Sequence, residues 1–355
     1  MLKASPLRSR WITLGFSCLL SAVFGFSSNA VEPTNAVVPA PASVSTNEAA
    51  ASRFPCPDKL VANYSAMRVS KPLVIDGKLN EPEWKACTWS PRFVDILSGG
   101  KTIHDTKAAV LWDDDYLYVG FKIEEPFVHA KFTEHNSPIY YDNDVEMFIA
   151  GRDSYYEFEI NAFNTSYEVF FIWNDAYEKG GFSQAPEFKK DQVTPFNGVG
   201  FTNHPRGGRV GAFKWTFPGK KTAVFVDGTV NKDDDRDRGW TVELALPWKG
   251  MEWLAKADER SLPPKNGDIW RMDFSRFNQY KEAAPAADSG GWVWTPHRVW
   301  DSHVPECFAK VRFLTNSVRT MRLLPRGQEE PPVRRTAPAT NSLPTRKSAD
   351  GSKAQ

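Results

Sequence analysis

Apolar and polar residues alternate with a period of two along much of the chain, which places successive side chains on opposite faces of a strand. "KAAVLWDDDYLYVGFKIEE" (Lys107 to Glu125) reads as two strands joined by an acidic turn at Asp113 to Asp115. Further strands are predicted at Asp144 to Ile149, Tyr155 to Asn161, Glu168 to Trp173, Lys221 to Val226, Trp240 to Leu246, Ile269 to Phe277 and Phe308 to Phe313. In "PLVIDGKL" (Pro72 to Leu79) a short apolar run meets Asp76-Gly77, a tight-turn signal. "EPEWKACTWS" (Glu81 to Ser90) predicts one helical turn, with Trp84 and Trp89 able to plug a core. Short strands separated by Gly, Asp, Asn and Pro predict an all-β fold, an antiparallel β-sandwich. Residues 178–219 have little period and many Gly, Pro and Phe residues, and read as a long irregular insertion.

Both ends break the pattern. Lys3, Arg8 and Arg10 flank an apolar run, Trp11 to Phe26, followed by the small residues Ser28 to Ala30. Residues 1–30 therefore read as a secretory signal peptide, with an apolar run short for a membrane span. Residues 31–57 read as a Pro/Ala/Ser-rich linker, and residues 316–355 as a disordered basic tail that cannot bury a core. One domain is left, 58–315, in a protein expected to be secreted or periplasmic, with no membrane span in the mature chain.

Charge narrows the partners. The chain has 44 Lys+Arg and 43 Asp+Glu, of which the first 30 residues hold three basic and no acidic ones. The stretch from Asn316 holds eight basic and three acidic residues, leaving 33 basic against 40 acidic, a net of −7, for residues 31–315. An acidic domain repels phosphate backbones, so nucleic acid is not an expected partner. Beyond the signal lie Cys56, Cys87 and Cys307, which allow one disulfide and one odd thiol without choosing the pair.

Candidate chemistry concentrates in "IYYDNDVEMFI" (Ile139 to Ile149) and "YYEFEINAFN" (Tyr155 to Asn164). Alternation sets Val145, Met147 and Ile149 on one face of the first strand and Glu146 and Phe148 on the other. In the second, Tyr156, Phe158 and Ile160 oppose Tyr155, Glu157, Glu159 and Asn161. If the strands pair, acids and an amide share a face, which is either the wet side of a sheet or a binding surface. Tyr140, Tyr141, Trp173, Trp292, Trp294 and Trp300 supply rings nearby. Sugars present C–H faces that pack on rings and hydroxyls that seek carboxylate and amide partners.

Together "VIDGKLNEPEW", "AAVLWDDDYLYVGFKIEEP", "DNDVEMFI", "YYEFEINAFN", "DRGWTVELALPW" and "PPKNGDIWRMDFSR" make the chain resemble the carbohydrate-binding module family 9-like proteins, within the wider DOMON-type β-sandwich group. The resemblance spans Ala66 to Leu314. It implies a sandwich with bound structural calcium and a site clasping the end of a glucan or xylan chain between two tryptophans, with carboxylate and amide hydrogen bonds. Carried over by position, the strand glutamate is Glu146 and the first clasping ring is Tyr140, six residues upstream. Glu159 stands where the family has a binding arginine, and Trp300 is the nearest candidate for the second ring. The site implied is Tyr140, Glu146, Asn161 and Trp300.

Among enzyme signatures, GxSxG, P-loop, HExxH and GxGxxG at a strand–helix turn are missing from the sequence, and no CxxC offers a thiolate zinc site. The acidic turns supply hard oxygen donors suited to calcium. The candidate ligands are Asp113, Asp115, Asp142 and Asp144. The expectation is a secreted, non-catalytic carbohydrate-binding protein recognising plant-type or other glycans as poly- or oligosaccharide. The alternative is a secreted carbohydrate-active hydrolase using a carboxylate pair.

Overall fold

The structure, a computed structural model, describes residues 53–279 and 290–317. The expected signal peptide, the linker as far as residue 52 and the tail beyond residue 317 lie outside the described residues. The strands are β1 (Asn63–Arg68), β2 (Val94–Asp95), β3 (Thr106–Trp112), β4 (Tyr116–Glu124), β5 (Asp144–Ala150), β6 (Ser154–Asn161) and β7 (Ser166–Trp173). They continue with β8 (Thr194–Phe196), β9 (Arg209–Ala212), β10 (Lys221–Asp227), β11 (Gly239–Pro247), β12 (Ile269–Asn278), β13 (Gly290–Val293) and β14 (Ala309–Ser317).

Neighbouring strands run in the order β10-β11-β4-β3-β1-β14-β12-β5-β6-β7-β9-β8, with β13 on β12 and β2 on β13. The outermost strands β10 and β8 do not pair with each other, so the sheet is not closed. The all-β expectation holds, but the sheet is mixed rather than purely antiparallel. β1 runs parallel to both β14 and β3, joining the start of the fold to its end.

The predicted alternation is seen directly. Val145, Met147 and Ile149 of β5 and Tyr156, Phe158 and Ile160 of β6 enter one core with Val119 and Phe121 of β4 and Val242 and Leu244 of β11. The halves of the sheet face each other across it, as where the Phe121 ring lies 6.0 Å from Phe274 of β12. The helical turn Pro82–Ala86 buries Trp84 fully on the other face of β3 and β4, beside Leu111 and Tyr118.

The reverse faces of β5, β6 and β7 differ from a solvated surface: every residue of these strands is buried. The segment 178–219 explains this. It supplies β9, which pairs with β7, and β8, which pairs with β9. Phe196 and Phe213 then pack on the reverse face, beside Tyr155 and Phe171. The segment is therefore partly strand rather than irregular throughout.

The fold also reaches past 58 and 315. Cys56 is disulfide-bonded to Cys307, leaving Cys87 as the free thiol among the described residues. β14 continues to Ser317, which pairs with Arg68. Among the described residues, no helix is long and apolar enough to cross a membrane.

Candidate functional site

On the reverse face of β5, β6 and β7 lies a cavity of about 500 Å³. Antiparallel register builds its base. Glu146 of β5 stands opposite Glu159 of β6, and Phe148 opposite Glu157, while Asp144 opposes Asn161. Glu146, Glu157 and Glu159 line the cavity, with Tyr167 and Phe171 from β7 beside them. Like charges directly opposite each other on a sheet are destabilising, so this pairing is a cost the fold carries.

The rim is aromatic. A single 3₁₀ turn, Ile139–Tyr141, buries Ile139 and turns Tyr140 and Tyr141 outward, 41% and 61% exposed. Their ring centroids are 4.6 Å apart, and Tyr140 also meets Tyr167 at 5.7 Å. Across the cavity Trp300, 44% exposed, packs edge-on against Phe277.

The loop carrying Trp300 is clamped by Asp301. Its Oδ2 accepts the backbone N–H groups of Val199, Gly200 and Phe201 at 2.9, 3.0 and 2.9 Å, and its Oδ1 accepts that of His303 at 2.8 Å. Side chains would block this approach: a Cβ on Gly198, at φ +86°, would fall 2.8 Å from Asp301 Oδ2, and one on Gly200 would fall 2.5 Å from the Trp300 carbonyl oxygen.

A buried relay reaches the base from the same side. Arg209 Nη1 donates to the Tyr155 hydroxyl at 3.0 Å and to the His303 carbonyl at 2.9 Å. Tyr155 is 3.0 Å from His303 Nδ1, and His303 Nε2 is 3.4 Å from Glu157 Oε1. This order suits a neutral imidazole that accepts from Tyr155 and directs its N–H towards Glu157. Burial lowers His303 to about 3, with Arg209 acting in the same direction and Asp301 opposing.

The acids are held above their ordinary range. Burial pushes Glu146 up to about 7, against a hydrogen bond of 2.9 Å from the Ser275 hydroxyl. Burial also raises Asp144, reinforced by Glu146 and Asp142. Glu157 rises through burial and then Glu146 and Asp301, and Glu159 through burial and then Glu157, Asp144 and Glu146.

Tyr140, Glu146 and Trp300 thus meet in one cavity. Asn161 does not line it. Its amide nitrogen donates to the Phe132 carbonyl at 2.8 Å and to Asp142 at 3.1 Å, and its oxygen accepts from the Phe163 and Thr165 amides, both at 3.0 Å. All of its hydrogen-bonding capacity fixes a turn.

The expected calcium set also divides. Asp113 accepts from the Asp115 and Tyr116 amides and the Tyr118 hydroxyl, shaping the β3–β4 turn, and Asp115 is exposed there. Asp142 accepts from the amides of Lys131, Phe132 and Asn143 as well as from Asn161. Only Asp144 joins a cluster with ligand spacing. Among the described residues the single such cluster is Asp144, Glu146 and Glu159, whose ligand atoms lie within 4.8 Å of one another.

Sequence reasoning missed Arg209, Asp301 and His303, which lie in segments without period and act only through long-range contacts.

Residues 75–194 match the family model for Carbohydrate family 9 binding domain-like proteins. No curated protein matches the chain. Solved structures similar to it include a protein from Bacteroides uniformis proposed to bind carbohydrate, at 15% identity and TM-score 0.43, covering 71% of this chain and 99% of that one. Another is a family 9 carbohydrate-binding module from Caldicellulosiruptor kristjanssonii in complex with glucose, at 16% identity and TM-score 0.39, covering 71% and 97%. The same organism's module in complex with cellotriose has the same identity and TM-score and covers 71% and 95%. The family match takes in β2 to β7, and with them Tyr140, Glu146, Glu157 and Glu159, but neither Trp300 nor Asp301. Over residues 75–194 the chain is thus similar to carbohydrate family 9 binding domain-like proteins.

Proposed function

We propose that the chain binds a saccharide in the cavity between Tyr140 and Trp300 and does not turn it over. The observation carrying this reading is the meeting of an aromatic rim with a carboxylate base in one cavity of about 500 Å³, a size within the range of small-ligand pockets. Tyr140, Tyr141 and Trp300 offer ring faces, and Glu146, Glu157 and Glu159 offer acceptors for hydroxyls. The match of residues 75–194 to the model for carbohydrate family 9 binding domain-like proteins supports a saccharide as the ligand class. The protein acts outside the cytoplasm in this reading, supported by the Cys56–Cys307 disulfide and the signal-like first 30 residues.

A glycan array on the purified full chain identifies the ligand, and isothermal titration measures it. A hydrogen bond to a charged group contributes about 1.5–3 kcal/mol, so Glu146→Gln should weaken binding roughly ten- to a hundredfold. Tyr140→Ala should cost a comparable amount through lost ring contact. Wild-type affinity in both folded variants would place the ligand elsewhere. Adjacent carboxyls with raised pKa also suit acid–base chemistry, which favours the hydrolase as the second reading. New reducing ends released from the bound oligosaccharide would establish it, and their absence over prolonged incubation would sustain binding without turnover.

A further inference from the structure

Three acids, Asp144, Glu146 and Glu159, meet at the base of the cavity without the counter-charges that the fold supplies to Glu125 and Glu168. Glu125 receives Asn143 at 2.6 Å and Trp240 at 2.5 Å, with Arg276 3.4 Å away. Glu168 has Lys220 at 3.1 Å and His135 at 2.9 Å. Asp144 has neither. It is fully buried, and neither carboxylate oxygen has a well-formed hydrogen bond, the Phe277 backbone N–H being near enough only to favour its charged form. Glu159 Oε2 is buried and equally unpartnered. A buried carboxylate without a partner is costly, and the cost is met by a proton or by a bound cation.

Geometry favours the cation. The ligand atoms of Asp144, Glu146 and Glu159 lie within 4.8 Å of one another. Two oxygens on opposite sides of an ion bound at about 2.4 Å are separated by about that distance. The donors are all carboxylate oxygens, without sulfur or imidazole, which suits a hard ion such as calcium. Calcium takes about six to eight oxygens, more than three carboxylates provide. Glu146 and Glu159 line the cavity, so the open positions of an ion between them face it.

We propose that Asp144, Glu146 and Glu159 bind a calcium ion at the base of the cavity, and that a pair of saccharide hydroxyls completes its coordination. Of the acidic-turn residues Asp113, Asp115, Asp142 and Asp144, only Asp144 belongs to this site, and strand glutamates supply the other two ligands. The second half of the proposal rests on the saccharide reading, whereas the first stands without it. Glu157, held by the His303 relay, remains free to accept a sugar hydroxyl directly.

Calcium chloride is titrated calorimetrically into EDTA-treated, dialysed full chain at pH 7.5, and melting is followed with and without the ion. The expected result is one site per chain and a melting temperature raised by calcium more than by magnesium. Asp144→Asn should weaken calcium binding at least tenfold while melting, without the ion, at or above the wild-type temperature, because it removes an unpaired buried charge. Glu159→Gln provides a second variant should that one fail to fold. No heat and no calcium-dependent melting in the wild type would overturn the site. The array-selected oligosaccharide is then titrated in calcium and in EDTA. An affinity at least tenfold lower in EDTA supports the bridging role, and equal affinities overturn it while leaving the saccharide reading intact. Calcium binding with no glycan bound overturns the saccharide reading alone. An amino-sugar oligomer that competes with calcium and binds best in EDTA would make an ammonium group, not an ion, the occupant.

Discussion

At the scale of single residues, the cavity depends on side chains whose roles follow from what they touch. His303 is buried between Tyr155 and Glu157 and its pKa is lowered to about 3 by burial. An unfolded histidine protonates near 6.5, so the unfolded chain binds the extra proton first as pH falls. The stability His303 contributes is full above about 6.5 and is lost as pH drops towards 3, amounting to roughly 4 kcal/mol at that limit. The raised carboxyls act in the opposite sense, so the whole-protein curve mixes both. The difference between wild type and His303→Gln isolates the histidine. Denaturant unfolding at pH 7 and pH 4 should show the variant losing less stability across that interval. Equal losses would mean that His303 is charged in the folded protein.

At the scale of elements, strand phase was legible and strand surroundings were not. The alternation in "DVEMFI" and "YYEFEIN" assigns the correct residues to the central core, because a period of two is a local property of the backbone. Whether the opposite face is wet depends on what covers it, and the cover comes from β8, β9 and the loop around Asp301. β8 is three residues with a central proline and β13 opens on two glycines, so neither has a pattern to read. Asn161 shares the phase of Glu157 and Glu159, yet its position at the strand end gives it to the turn.

The clamp at Asp301 carries a prediction at this scale. Four backbone amides donate to one carboxylate, and an amide side chain cannot accept them all. Asp301→Asn should cost roughly 2–4 kcal/mol. Its effect should be uneven: amide hydrogen exchange should accelerate at Val199, Gly200, Phe201 and His303 well before β5 or β6. Exchange that rises uniformly, or remains unchanged, would show that the loop is held by other contacts.

At the scale of the whole molecule, the all-β class was legible from many independent strand patterns, and its two seams were not. The strand "NYSAMR" has no clean alternation, and one of its two partners, β14, is the last strand of the described chain. Likewise the three cysteines beyond residue 30 admit several pairings, and only the folded chain selects Cys56 with Cys307, 251 residues apart. The family match at 75–194 covers the base and one rim of the cavity, while Trp300, Asp301 and His303 come from outside it. The site is therefore assembled from the matched segment and from chain that the match does not reach.

The parallel seam at β1 has a consequence for how the protein is made. Asn63 waits for Lys310 as its partner, so the strand synthesised first pairs with the strand synthesised last. Loops of that length close slowly, and pairing of distant strands delays folding. A ribosome would thus hold an incomplete sheet until the residues of β14 had emerged, leaving the nascent protein open to chaperones. Chains ended at residue 308, just before β14, should remain sensitive to brief protease pulses throughout, whereas chains extending through Ser317 should acquire resistance. Equal resistance in both would mean that the sheet assembles without its last strand.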